Sequence, residues 1–219
     1  MPTVFRLVST LEEEGYLERL PDGRVRPGTG VLALGFASLQ GMDLVQTSAS
    51  LMRELAAATG ATVNLGVLFN DSVLFIARVQ SSTSLVAADI RVGTTVPAVY
   101  SSIGKVLLAS LSPEEFDRRI SEESFSGAWG PRAVRDLTAL GYQLENVRLD
   151  GYLIQEEEAI VGLSSLAAPV RQAGQGVVAA INVVVPSREY SQARILRELR
   201  EPLLSTANLI SLRLGGSPA

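Results

Sequence analysis

The sequence predicts an α+β chain, and three features carry that reading. Val4, Leu7, Val8 and Leu11 fall at i, i+3, i+4 and i+7, the spacing of one helical stripe. Two strand-like runs, 61–69 and 73–80, are separated by Asn70-Asp71-Ser72, so antiparallel pairing is the economical arrangement. Ser112-Pro113-Glu114-Glu115 supplies a capping serine, a proline at the first helical position and a glutamate three residues on, a well-marked helix start. An apolar content of 47% over 219 residues is that of a folded chain, long enough for a small and a medium domain.

Taken in order, the first helix begins at Pro2, which suits a first turn, and ends at Gly15. Residues 16–20 and 24–26 follow as a hairpin turning at Asp22-Gly23. A helix and hairpin of this size rarely build a core, so the stripe is expected to pack on something else. Pro27-Gly28-Thr29-Gly30 breaks the chain, and 31–40 is apolar nearly all round, as a helix buried between two bodies would be. Asp43 is a good N-cap for a second amphipathic helix carrying Leu44, Leu51, Met52 and Leu55, which stops near Thr59-Gly60. After the strands at 61–69 and 73–80, a third is expected from Leu85 to Ile90. Ser101 and Ser102 can cap a helix through Ser110, and Leu137, Leu140, Leu144 and Val147 mark another from Asp136 to Gly151. Runs at 152–155, 161–168 and 177–185 supply further strands. The tail, 189–214, reads as helix with Tyr190, Ala193, Leu196, Leu199 and Leu203 inward, kinked or divided by Pro202.

With no cysteine there is no disulfide or thiolate metal site; with no histidine the commonest metal ligand and the usual neutral-pH proton shuttle are missing. No catalytic residue, metal or cofactor is expected. Gly28-Thr29-Gly30-Val31-Leu32-Ala33 resembles a dinucleotide fingerprint but lacks the βαβ setting, and Gly104-Lys105 lacks the rest of a phosphate loop. Lys105 is therefore expected to be a helix-surface charge, and Glu156-Glu157-Glu158 a solvated run. The longest apolar stretches, 161–170 and 177–185, are far short of the roughly 20 residues of a membrane span. The first residues lack the pattern of a signal peptide, so a cytoplasmic protein is expected. At a net charge of −4 the molecule has no overall basic field, and any DNA contact must come from a local surface.

Three patches, in order and spacing, resemble the IclR family of bacterial transcription regulators. They are Pro2-Thr3-Val4-Phe5-Arg6-Leu7 with Thr10-Leu11-Glu12 and Gly15-Tyr16-Leu17; Ser101-Ser102-Ile103-Gly104-Lys105-Val106-Leu107-Leu108-Ala109; and Gly151-Tyr152 through Glu157-Glu158, Gly162 and Ala167-Ala168-Pro169-Val170. The resemblance spans essentially the whole chain. It implies a partial winged helix-turn-helix over 1–29, a linker and dimerisation helix over 30–42, and a GAF-like (profilin-like) effector-binding domain over 43–215, an antiparallel sheet flanked by helices. By that comparison Pro2 to Leu11 is a recognition helix with Thr3, Phe5, Arg6, Ser9 and Thr10 toward the major groove, and Arg24 and Arg26 sit on the wing. The implied partners are operator DNA, a small organic effector and further copies of the chain, as a homodimer or a dimer of dimers. The family's first two helices would lie upstream of Met1. Either the start is placed too far downstream, or the chain is a variant that keeps sensing and oligomerisation without DNA binding.

In the family the effector sits at one edge of the sheet, closed by the helix that begins at the Gly-Lys motif. That points to Ser101, Ser102 and Gly104, where free N–H groups and the helix dipole suit a carboxylate. Plain N-capping by the serines and close packing at the glycine are the competing roles. Relatives that bind small oxoacids usually carry Asp, Cys, Ser and Ser where this chain has Gln155, Ser165, Asn182 and Val184. The pocket is therefore expected to be less polar and to take a carboxylate with an apolar body. Strand alternation adds Asn64, Gly66, Leu85 and Ala87 as wall residues.

Overall fold

A computed structural model describes residues 2–80, 90–127 and 129–217, which fall into two compact units, Met1–Gln46 and Thr47–Ala219. In the first, helix α1 (Pro2–Glu13) leads through a turn into the antiparallel strands β1 (Leu17–Arg19) and β2 (Val25–Pro27), followed by α2 (Gly30–Gln40). Gly15, at a φ of 74°, reverses the chain after α1, and its carbonyl accepts the Gly30 N–H at 3.0 Å. A Cβ at Gly28 would stand 2.3 Å from that same carbonyl oxygen, so the close return of the hairpin onto Gly15 requires glycine there. The expected stripe of α1 is largely uncovered within this unit, with Val4 67% and Leu7 60% exposed. No residue of α2 is buried either, although the sequence suggested a helix held between two bodies.

The second unit contains most of α3 (Asp43–Thr59), β3 (Thr62–Phe69), β4 (Ser72–Val79), β5 (Thr95–Pro97), α4 (Ser102–Ala109), α5 (Pro113–Asp117), α6 (Leu137–Asp150), β6 (Leu153–Glu156), β7 (Leu163–Gln172), β8 (Gly176–Pro186), α7 (Gln192–Glu198) and α8 (Arg200–Arg213). Asp43 is the first residue of α3 rather than its cap. Among the described residues the strands form one antiparallel sheet in the order β5-β4-β3-β8-β7-β6. Of the strand expected over 85–90, only Ile90 lies among the described residues and it is not in a strand, while β5 is a short edge strand the sequence did not mark. The capping box at Ser112 and the caps at Ser101, Asp136 and Gly151 form as their residue types dictate.

Both faces of the sheet are covered. Along β3 and β8, Val63, Leu65, Ile181 and Val183 are wholly buried on one face, and α8 packs along β7 and β8. The alternate residues face α4 and α6, whose Ile103, Val106, Leu140 and Leu144 share a core with Phe75, Ala167 and Ala180. Pro202 falls in the first turn of α8, where its missing N–H has no helical partner to lose, and the division expected there lies just before it, at Leu199. In the tail, Ile195 takes the buried place expected of Ala193, which is exposed; Ile195, Leu199 and Leu203 form the inward stripe at four-residue spacing.

Candidate functional site

On the α4 side of the sheet, two adjacent cross-strand rows make a polar floor. One row is Gln155, Ser165, Val184 and Thr62, each opposite the next in register across β6, β7, β8 and β3. The other runs Asn182, Asn64 and Arg78 across β8, β3 and β4. Side chains in such rows touch their neighbours, and those of the second row hydrogen-bond end to end. Arg78 Nη1 donates to Asn64 Oδ1 at 2.9 Å, Asn64 Nδ2 to Asn182 Oδ1 at 2.9 Å, and Asn182 Nδ2 to Ser102 Oγ at 3.1 Å. Ser165 Oγ donates to the same Ser102 Oγ at 2.9 Å. Ser102, the first residue of α4, thus has both acceptor positions filled.

Above this floor lies a cavity of about 630 Å³, open mouth included. Phe75, Ile90, Val96, Ile160, Leu163 and Val184 give it apolar walls. Of the residues expected to form a pocket, Asn64, Ser101, Ser102, Gln155, Ser165, Asn182 and Val184 are brought together here. Leu85 and Ala87 lie outside the described residues. Gly66 and Gly104 stand elsewhere, in tight packing. A Cβ at Gly66 would meet Val73 Cγ1 at 2.6 Å, and one at Gly104 would stand 2.3 Å from the Ala98 carbonyl oxygen. Glycine at 104 lets the first turn of α4 press against the backbone before it. Ser101 is spent as the cap, its Oγ accepting the Gly104 N–H at 3.4 Å. Gln155 donates through Nε2 to the Tyr100 carbonyl at 2.5 Å, tying β6 to the chain entering α4.

Three lining residues went unmarked or misassigned in the sequence. Arg78 is half-buried, and among the described residues no carboxylate ion-pairs it. Burial lowers its pKa from the ordinary arginine value, because the desolvated cation is disfavoured. Thr62 completes the first row. Glu158, expected to be solvated, is buried at the cavity wall and ion-paired with Lys105, expected on a helix surface but 0% exposed. Desolvation lowers the Lys105 pKa, and the Glu158 charge opposes that shift. Glu158 also accepts from the Val134 N–H and from Gln143 Nε2, each at 3.4 Å. Its backbone is fixed by the Gly130 N–H, which donates to the Glu158 carbonyl at 2.7 Å.

The residues expected to meet DNA occupy α1 and the hairpin. Thr3, Phe5, Arg6 and Thr10 are exposed, and Ser9 is half-buried. Thr10 Oγ1 donates to the Arg6 carbonyl at 3.0 Å. Arg24 pairs with Asp22 at 2.7 Å and Arg26 with Glu18 at 2.8 Å, so the hairpin neutralises its own cations.

The family model described as bacterial transcriptional regulator IclR C-terminal matches residues 36–212. The chain is 30% identical over 214 residues to the HTH-type transcriptional regulator KdgR of Escherichia coli, covering 97% of this chain and 80% of that one. It is likewise 30% identical over 225 residues to the HTH-type transcriptional repressor AllR of Klebsiella pneumoniae, covering 100% and 79%. Among solved structures, an IclR homologue from Microbacterium hydrocarbonoxydans complexed with 4-hydroxybenzoate aligns over 98% of this chain and 85% of that chain, with 28% identity and a TM-score of 0.74. The chain belongs to the IclR family: it is a DNA-binding transcriptional regulator, not an enzyme, and its C-terminal domain senses a small organic metabolite.

Proposed function

We propose that the cavity over the two polar rows is the effector site and that its ligand is a small carboxylate with an apolar body. The observation that carries this reading is the pairing of apolar walls with a floor whose polar groups converge from β3, β4, β7, β8 and α4. The fold neighbour solved with 4-hydroxybenzoate, an aromatic carboxylate, supports the class. Asn64, Ser102, Gln155, Ser165, Asn182 and Val184 are the proposed contacts. The proposed DNA contacts are Thr3, Phe5, Arg6, Ser9, Thr10, Arg24 and Arg26, on a recognition helix and a wing. The regulator works as a homodimer or a dimer of dimers, with α2 as the apolar contact, so that effector binding changes the spacing of paired DNA-reading heads. Among the described residues no helix is long and apolar enough to cross a membrane; we place the regulator in the cytoplasm, where its operator is.

The test is a titration of the chain against the DNA upstream of its own gene, with and without 4-hydroxybenzoate and related acids. A shift in DNA affinity on adding an acid supports the reading. Acid binding without any DNA binding favours a freestanding sensing and oligomerisation module, and DNA binding indifferent to every acid tested removes the effector assignment.

A further inference from the structure

We infer that Arg78 makes the cavity selective for anions: its guanidinium, at the β4 end of the floor, holds the ligand's carboxylate. This rests on the cavity being the effector site. At the helix start, the Gly104 N–H is taken by Ser101 Oγ, the Lys105 N–H by the Ser101 carbonyl at 2.9 Å, and the Ser102 hydroxyl by Asn182 and Ser165, and the side chains there carry no charge toward the cavity. Lys105 itself is turned inward onto Glu158, so the pair adds no net charge to the wall. Arg78 is then the cation left for a ligand among the described residues that line the cavity.

Its geometry fits that task. One N–H of the guanidinium is spent on Asn64, and a guanidinium carries five, arranged to meet a carboxylate through two at once. The bond to Asn64 also fixes the direction of the row. With Asn64 Oδ1 accepting from Arg78, its amide nitrogen must face Asn182, and Asn182 in turn donates to Ser102. Arg78 is thereby held at the cavity with one of its donors committed among the described residues. A half-buried arginine with no carboxylate partner among the described residues is disfavoured by desolvation, and an anionic ligand removes that penalty, whereas a neutral isostere does not. Phe75 and Val96 line the same cavity and supply apolar contact for the ligand's body.

The deciding experiment is calorimetric titration of the full chain with benzoate, phenylacetate and hexanoate, each beside its own carboxamide. It is repeated with Arg78→Gln and Arg78→Lys, and unliganded melting temperatures check folding. A lost charge-assisted hydrogen bond corresponds to roughly 30-fold in affinity. The parent should bind at least one acid about that much more tightly than its amide; Arg78→Gln should bring the two together, and Arg78→Lys should keep part of the preference. Acids bound equally well by parent and Arg78→Gln, or amides bound as well as acids by the parent, would overturn the role of Arg78 and leave the cavity as effector site. Failure of every acid and amide to bind the parent would overturn both. If Arg78→Gln does not fold, the acid-to-amide ratio of the parent and of Arg78→Lys still decides.

Discussion

Lys105 lies wholly inside the effector domain with its ammonium against the Glu158 carboxylate, joining α4 to the segment between β6 and β7. Through Gln143 and the Val134 N–H the same carboxylate reaches α6 and the chain before it. The pair therefore fastens the helical layer to one wall of the cavity. A buried pair of this kind adds little over apolar residues of the same shape, but losing one partner leaves an uncompensated charge. Lys105→Met is expected to cost about 3–5 kcal/mol of stability in urea unfolding followed by Trp129 fluorescence. Lys105→Met combined with Glu158→Leu should cost markedly less than the sum of the two single changes. Strict additivity would show that the two groups do not depend on each other.

Gly104 is predicted to matter for stability first. Any Cβ there meets the backbone of Ala98, with the carbonyl oxygen at 2.3 Å and Cα at 2.4 Å, and backbone cannot rotate aside as a side chain can. Gly104→Ala should destabilise by about 1–3 kcal/mol, the usual range for overpacking. An alanine variant as stable as the parent would show that α4 can lift away from Ala98 without penalty.

Gln155 sits where acid-sensing relatives are expected to carry a carboxylate, and its Nε2 donates to the Tyr100 carbonyl. An acid at this place faces that carbonyl oxygen with no donor unless it holds its own proton. In Gln155→Glu the introduced carboxyl is expected to have a raised folded-state pKa, so the native state holds a proton that the unfolded chain has released. Stability is then present below about pH 4.3, the ordinary glutamate value, and is lost as pH rises through the folded pKa. The variant should be closest to the parent near pH 4 and fall behind it by pH 8. A deficit that does not change with pH would remove the Tyr100 carbonyl as the cause.

Arg6 is predicted to contribute more to DNA binding than the two wing arginines. Arg24 and Arg26 are held by Asp22 and Glu18, so a phosphate must displace a carboxylate to reach them, while no such pair involves Arg6 among the described residues. In titrations of operator DNA at several salt concentrations, Arg6→Ala should reduce the salt slope by about one, and Arg24→Ala or Arg26→Ala by less. Equal slopes for all three variants would sink this ranking.

The helix stripes, capping residues and turn signals made most elements legible, because they are local. Gln155, Ser165, Asn182 and Val184 were reached only through the family resemblance, and strand alternation added Asn64 to them. Neither route reached Arg78. A tight turn at Asn70-Asp71 without irregularity would set Ala77 opposite Asn64, but the register shifts between Leu65 and Gly66, and Arg78 takes that place. Lys105 and Glu158 were misjudged for a related reason. Each reads as a surface charge by composition, and only the folding of the β6–β7 segment onto α4, 53 residues away in sequence, makes them a pair.

The apolar helix α2 should drive self-association. None of its residues is buried, and Leu32 and Phe36, one turn apart, are 61% and 62% exposed. Burying such side chains is worth about 1.5–3 kcal/mol each, and a second copy of the same helix offers a matching apolar face. In sedimentation velocity at micromolar concentration the parent chain should run as a dimer or larger, and Leu32→Glu with Phe36→Glu should move it toward monomer while melting of the effector domain stays unchanged. An assembly that survives both glutamates would place the principal contact on another surface. A parent that stays monomeric would mean that α2 is covered by something other than a second copy.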